Sequence, residues 1–438
     1  MSIPRAQRSR IPLTQMATRA FVLVLAIVIS ACSREPASPP PAEAETKAVF
    51  TPRPLRDITV PRTPERVARG RYLTEGLLQC AVCHSERDWK APGAPPAAGL
   101  KYAGQVWPGR PWLTAPNLTP DRETGTGNWT DDMLIRAIRE GISHDGRLLH
   151  RQMWSSSFHV LPDEDVESIV AYLRSLKPIR HALPKTNLPP DTAAKIKVLE
   201  PITEPVPVMA PASEIDRGRR LADLADCGGC HTSWYTDPIP GYFGGANLID
   251  IGPLKAYSAN LTSDDSGIAH YDAAFFREVM RTGKARGRDL SPLMPWTVFR
   301  NLSDEDLNAL FAYLRALPKV KHLIDNIDPP TRCRICGAEH PLGQYNKPQE
   351  LKLIPVPLAE LKDAPGTYRF DSGWTVRIVI DAGKLMVKFG GGAGCELVTT
   401  DARVYFCKGD IDNFEFVRDA SGRITGAMDN LSPGRKIR

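Results

Sequence analysis

Four of the chain's nine cysteines fall in two pentapeptides of one pattern, Cys80-Ala81-Val82-Cys83-His84 and Cys227-Gly228-Gly229-Cys230-His231. Two thiols three residues apart lie on one turn of chain and reach the two vinyl groups of a single haem. The histidine that follows sits under the ring and ligates the iron. The spacing is that of c-type haem attachment. Two copies in one chain leave little room for a chance zinc or redox motif. The expected cofactor is therefore two haem c, bound covalently through Cys80, Cys83, Cys227 and Cys230, with His84 and His231 as axial ligands.

The sixth iron ligand sets the chemistry. A thioether raises the potential and suits an electron carrier. Met153 and Met294 lie 69 and 63 residues after their histidines, in irregular sequence before an amphipathic segment. Met133 and Met280 compete, but both fall on predicted helices, where packing is the ordinary role. Met294 is followed by Pro295. Met153 has no such proline, and His144, His150 and His159 offer a bis-histidine alternative.

The remaining cysteines divide by context. Cys333 and Cys336 form a CxxC whose next residue is Gly337, so a third haem site is excluded. Zinc would need two further ligands, of which His340 alone is near. An inert disulfide is expected, with a redox-active pair as the alternative. Cys395 and Cys407 are symmetric about Asp401 and could face each other across a hairpin. A bridge there would contribute roughly 2–3 kcal/mol.

The elements that position these groups occur twice. A glycine-bearing helix (Gly70, Gly218) precedes each haem motif by nine or ten residues. An Asn-Leu-Thr triplet follows (Asn117–Thr119, Asn260–Thr262), then a middle helix from Asp131 to Gly141 or from Tyr271 to Gly283. The methionine comes before a tryptophan (Trp154, Trp296). An amphipathic helix with an acidic first turn closes each copy, from Asp163 and from Asp304. Met153 to Tyr172 and Met294 to Tyr313 are both 19 residues. Gly70 with Tyr172 and Gly218 with Tyr313 read as helix-crossing contacts. The triplets read as loop structure beside the haem edge, with propionate binding as a further option.

Residues 179–211 are proline-rich and should link or wrap the two copies, with a short helix at Lys195–Leu199. From Leu351 the period becomes two. Val376, Ile378 and Ile380 precede a turn at Asp381–Gly383, and Leu385, Val387 and Phe389 follow it. Phe414, Phe416 and Ile424 flank a second turn. These are antiparallel hairpins. Gly390–Gly394 is not followed by a helix, so it is no phosphate loop.

The N-terminus reads as an export signal. A basic stretch precedes the apolar run Ala20–Ile29, which is too short to span a bilayer. Ile29-Ser30-Ala31-Cys32 resembles a lipobox, which makes Cys32 the lipidation candidate. Acyl chains contribute about 0.8 kcal/mol per buried CH₂. The formal charge of +6 includes Arg5, Arg8, Arg10 and Arg19 of that segment. Without them little basic excess remains, so nucleic acid is excluded as a partner. The 40 prolines indicate long connectors. An exported chain also suits disulfides.

The stretch Ala115-Pro116-Asn117-Leu118-Thr119-Pro120-Asp121, with Gly125, Gly127 and Trp129, resembles bacterial di- and tri-haem cytochromes c. So do Met294-Pro295-Trp296, Leu302–Leu307 and Ala312-Tyr313-Leu314. Cytochrome subunits of membrane-bound alcohol, aldehyde and gluconate dehydrogenases share these motifs. The resemblance covers about Thr63 to Leu323. It implies class I cytochrome c folds, His/Met ligation at His84/Met153 and His231/Met294, and electron transfer from a dehydrogenase toward a quinone or an oxidase. The chain departs from those subunits in having two haem motifs, not three, and a β region in third place. Gly366–Phe370, Gly383–Leu385 and Phe414–Gly422 resemble a small β-barrel module of serine β-lactamase-like hydrolases, which implies a docking or packing element.

The expected fold is multidomain: two mainly α class I cytochrome c domains plus a small antiparallel all-β C-terminal domain. The divisions are a lipoprotein signal peptide (1–31), a Pro-rich tether (32–62), cytochrome domain 1 (63–178), a linker (179–211), domain 2 (212–325), a CxxC-containing linker (326–350) and the β-domain (351–438). The expected function is periplasmic electron transfer by a lipid-anchored di-haem cytochrome c with redox protein partners. The alternative is a di-haem oxidoreductase, peroxidase-like or thiosulfate-oxidising, with chemistry at the domain 1 haem.

Overall fold

Helix α1 (Pro64–Tyr72) starts where its sequence says it should. The Thr63 side chain accepts the Arg66 amide, proline occupies the first turn and Glu65 faces the helix dipole. The computed structural model describes residues 52–438 apart from 154, 197, 209, 235–240, 348–353, 371–374, 390–393, 400–403, 409–412, 430–431 and 438. The signal segment, Cys32, most of the tether, Trp154, Asp401 and Gly390–Ala393 lie outside the described residues.

A π turn follows α1, then α2 (Cys80–Cys83), strands β1 (Gln105–Val106) and β2 (Thr114–Ala115), α3 (Asp131–Glu140), α4 (Ser155–Phe158) and α5 (Asp163–Ser175). After α6 (Pro190–Ala193) the order repeats: α7 (Glu214–Leu224), α8 (Cys227–His231), the β3 (Leu248–Ile251)–β4 (Leu254–Tyr257) hairpin, α9 (Ala273–Thr282), strands β5 (Lys284–Ala285) and β6 (Arg288–Asp289), α10 (Trp296–Phe299) and α11 (Asp304–Ala316). Gly141 and Gly283 end the middle helices in the left-handed region. The short helix of the linker is Pro190–Ala193, not Lys195–Leu199. Pro190 supplies the fixed φ that suits a first helical position, and Lys195 falls in the turn after it.

In each copy the first and last helices cross at a glycine. A Cβ on Gly70 would lie 1.8 Å from the Ser168 carbonyl oxygen and 2.8 Å from Tyr172 Cβ. On Gly218 it would lie 1.9 Å from the Ala309 oxygen and 2.8 Å from Tyr313 Cβ. The same two elements in both copies thus need a residue without a side chain. Buried apolar residues of both copies, including Leu73, Ile169, Phe276 and Leu310, form one continuous core.

The described residues ahead of α1, which fall within the expected tether, are fastened to domain 1. Arg53 binds the fully buried Asp132 at 2.7 and 3.0 Å and Glu140 at 2.7 Å. The Arg56 amide adds a 2.8 Å bond to Asp132, and Val60 is buried with its amide on Asp131. Residues after α5 wrap back over domain 1: the Asn187 amide bonds the Trp112 carbonyl at 2.8 Å, and Thr186 exchanges hydrogen bonds with Thr114.

Beyond α11, strands β7 (Pro330–Arg332) and β8 (Glu339–Pro341) form a hairpin around the CxxC. The C-terminal strands β9 (Gly366–Phe370), β10 (Thr375–Asp381), β11 (Lys384–Phe389), β12 (Gly394–Thr399), β13 (Val404–Cys407), β14 (Asn413–Arg418), β15 (Ile424–Asp429) and β16 (Ser432–Lys436) run as an antiparallel meander. β16 pairs with β9 and closes it into a barrel. Val376, Ile378, Leu385 and Val387 point inward, as the alternation requires. Ile380 is exposed, because the strand has run past the barrel's end. Ala382 and Gly383, both at positive φ, make the two-residue turn between β10 and β11. A disulfide joins Cys395 to Cys407.

Candidate haem sites

Both attachment turns are entered from a strained residue. Gln79 (φ 56°) and Asp226 (φ 53°) adopt the left-handed conformation that non-glycine residues rarely take. The chain thereby turns sharply into one helical turn that carries both thiols. The histidine after each pair is oriented by a carbonyl: His84 Nδ1 donates to the Pro116 oxygen and His231 Nδ1 to the Ala259 oxygen, both at 2.8 Å. That bond fixes the tautomer and leaves Nε2 free to ligate iron. Burial lowers the pKa of both rings despite the opposing backbone bond, which favours the neutral form that a metal ligand needs. Burial also pushes the Cys80 thiol up to about 12 and the Cys83 and Cys230 thiols to about 11. Before attachment the thiols are thus held in the protonated form, unlike an activated nucleophile.

In domain 1 these residues line a cavity of ≈ 580 Å³ whose walls include Leu113, Leu118, Leu134, Ile169 and Leu173. A cavity of this size and lining, with two thiols and an imidazole at its edge, suits a flat apolar ring. Met153, Met133, His144 and His150 reach the same cavity. Their surroundings differ. Met153 ends a short turn, Arg151–Met153, and packs half-buried against the core. The Met133 sulfur accepts the Thr130 amide at 3.4 Å and so helps cap α3. His144 stacks on Trp129 at 4.4 Å, and His150 accepts the Gln152 amide on Nδ1 at 3.3 Å. His159 is not among the residues that line the cavity, and its Nδ1 donates to the Arg139 carbonyl at 3.0 Å. In domain 2, Met294 lies half-buried against the core, while Met280 is buried within it.

The Asn-Leu-Thr triplets are satisfied by protein. Asn117 Oδ1 accepts the Thr119 amide and hydroxyl at 2.9 and 2.7 Å, and its Nδ2 donates to the Ile179 carbonyl at 2.7 Å. Asn260, Thr262 and Val320 repeat the arrangement. The triplets therefore tie the haem loop to the chain after the last helix. Sequence reasoning missed that this chain also walls the site: Ala182–Thr186 line the cavity.

Domains 1 and 2 meet beside the attachment turns. Gln79 Nε2 donates to the Ala225 carbonyl at 2.7 Å, Asn301 Nδ2 to the Glu75 carbonyl at 2.9 Å, and Tyr72 bonds Asp306.

Cys333 and Cys336, expected to form a disulfide, are not bridged in the structure. Both are buried, and His322 and His340 converge on them. Sequence reasoning missed His322. Its position in the repeat, matching His181, is the signal that could have found it.

Residues 67–177 and 215–318 match the family model described as Cytochrome c. These two segments are cytochrome c domains, and the chain carries two haem c groups. It is similar to the fructose dehydrogenase cytochrome subunit of Gluconobacter japonicus, at 32% identity over 58% of this chain and 52% of that one. It is similar to the gluconate 2-dehydrogenase cytochrome c subunit of Pantoea cypripedii, at 27% identity over 57% and 59%. A diheme cytochrome c-type protein of Cereibacter sphaeroides is 28% identical over 55% of this chain and 83% of its own length. The chain thus spans a little over half the length of the first two dehydrogenase subunits. Among the described residues, no helix is long and apolar enough to cross a membrane.

Proposed function

We propose that this protein is an exported, lipid-anchored electron-transfer cytochrome that takes electrons from a dehydrogenase and passes them toward a quinone or an oxidase. Two class I domains hold the haems through Cys80 and Cys83 and through Cys227 and Cys230, with His84/Met153 and His231/Met294 as axial pairs. Bound there, each haem supplies a one-electron iron couple. The protein's part is to hold the imidazoles neutral and oriented, to keep water from the ring face, and to fix the two sites against each other.

The observation that carries this reading is the Gln79–Ala225 bond at 2.7 Å. It joins the segments just ahead of Cys80 and Cys227, so the two attachment turns sit on one interface within one core. A carrier with two steps needs that fixed proximity. The dehydrogenase partner is supported by the relatives' names, which are those of dehydrogenase cytochrome subunits. Export is supported by the N-terminal sequence and by the Cys395–Cys407 disulfide, which suits an oxidising compartment. The anchor is Cys32.

The test is purification from membranes with partners attached, followed by addition of sugar, sugar-acid or alcohol substrates. Reduction of both haems that depends on a substrate is the expected result. Haems that stay oxidised with every co-purifying dehydrogenase would overturn it. A high-spin domain 1 haem that turns over peroxide would establish the enzyme reading instead.

A further inference from the structure

The repeat supplies an internal comparison. His181 in domain 1 and His322 in domain 2 are equivalent: each follows the last helix, donates its amide to a loop hydroxyl (Thr124, Ser266) and places Nδ1 on a carbonyl (Ala103 at 3.0 Å, Gly244 at 2.8 Å). In domain 1, Nε2 of this histidine lies near the surface, 3.7 Å from Glu86. In domain 2 it is fully buried under the β7–β8 hairpin, and faces His340, Cys333 and Cys336.

We propose that His322, Cys333, Cys336 and His340 form a structural zinc site. All four side chains are at most 1% exposed, and their donor atoms lie within 4.8 Å of one another. His322 Nε2 is 3.1 Å from His340 Nε2 and 3.6 Å from Cys333 Sγ. A tetrahedral zinc with bonds of about 2.0 Å to nitrogen and about 2.3 Å to sulfur places its ligands roughly 3.3 Å (N to N) and 3.5 Å (N to S) apart. The tautomers point the same way. Each Nδ1 faces a carbonyl, that of Gly244 or that of Pro341, and so carries the proton. Two Nε2 lone pairs then confront each other, which requires a cation between them. Two thiolates and two neutral imidazoles exactly offset a dication, so the site is neutral where burying a net charge would be costly. The Ile335 amide points at Cys333 Sγ at 3.3 Å, a donor suited to a thiolate.

The same donor set occurs on two-iron clusters, where the histidines and cysteines sit on different irons. A spread of 4.8 Å holds one ion instead. With four protein ligands and no access for water, the site is structural, not catalytic. It staples the CxxC hairpin to domain 2 beside the second haem, since Gly245, next to Gly244, donates its amide to the His231 carbonyl at 2.7 Å.

The test is elemental analysis and zinc-edge X-ray absorption on the purified holoprotein with both haems in place. The expected result is one zinc for every two irons, ligated by two sulfurs and two nitrogens, with no free thiol at Cys333 or Cys336 until a chelator removes the metal. His340→Ala should lose the zinc and keep both haem spectra. A holoprotein with two irons and only traces of zinc, or one whose Cys333 and Cys336 are joined in a disulfide, overturns the proposal. So does a His340→Ala variant, or a Cys336→Ser variant should the first fail to fold, that retains the full zinc content.

Discussion

Met153 shares its cavity with Met133, His144 and His150, so the sixth ligand of the first haem is decided by what each side chain already does. Met133 is held in its helix cap and His144 is stacked on Trp129. Met153 sits on a turn whose sulfur has no such engagement among the described contacts. Substituting Met153→Ala should convert one haem from low to high spin and lower its potential, while Met133→Ala leaves both haems low-spin. Optical and electron paramagnetic spectra of the oxidised protein read the difference. A Met153→Ala protein that stays low-spin would hand the ligand role to one of the histidines that share the cavity, His144 or His150.

At the scale of elements, the segment from residue 52 to Val60 is fastened to α3 by one carboxylate. Burial alone would raise the pKa of Asp132. The hydrogen bonds from Arg53 and from the Arg56 amide outweigh that and hold it below the ordinary carboxylate range. Its stabilisation is therefore complete above the unfolded value of about 3.9 and is lost as pH falls through the lower folded value. Asp132→Asn leaves the buried Arg53 with Glu140 as its remaining carboxylate partner among the described residues and should cost about 3–5 kcal/mol. Thermal melts of the haem-loaded protein should show that loss at pH 7, and a much smaller difference from the parent below the acid transition. An equal deficit at both pH values would mean that packing, and not the ion pair, holds the segment.

At the scale of the whole molecule, the barrel has a core of its own, with Tyr368, Val387, Leu397 and Phe414 at its centre, separate from the one the haem domains share. Its eight strands close on themselves, so the domain does not need the cytochrome domains to complete a sheet. Truncation after residue 350 should therefore leave both haem spectra intact. It should also abolish co-purification of the dehydrogenase, if the barrel is the docking element its resemblance implies. An unchanged set of partners in a pull-down would remove that role.

The sequence by itself determined the haem motifs, the duplicated domain, the helix crossings at Gly70 and Gly218, and the alternating strands. Each of these is local: the reacting groups are adjacent in the chain, or a period of 3.6 or 2 reports the face that is buried. Tertiary structure alone decided what depends on distant segments meeting. It placed Met133 and two histidines in the same cavity as Met153, closed the barrel through β16 and β9, and put Arg53 on Asp132. It also turned Cys333 and Cys336 from an expected bridge into half of a four-ligand cluster. The other half includes His322, eleven residues upstream of Cys333, and no local spacing rule pairs a histidine after a cytochrome helix with a CxxC in the next hairpin. The opening haem motifs were readable because covalent chemistry fixes their spacing; the second metal cluster was not, because only the fold brings its ligands together.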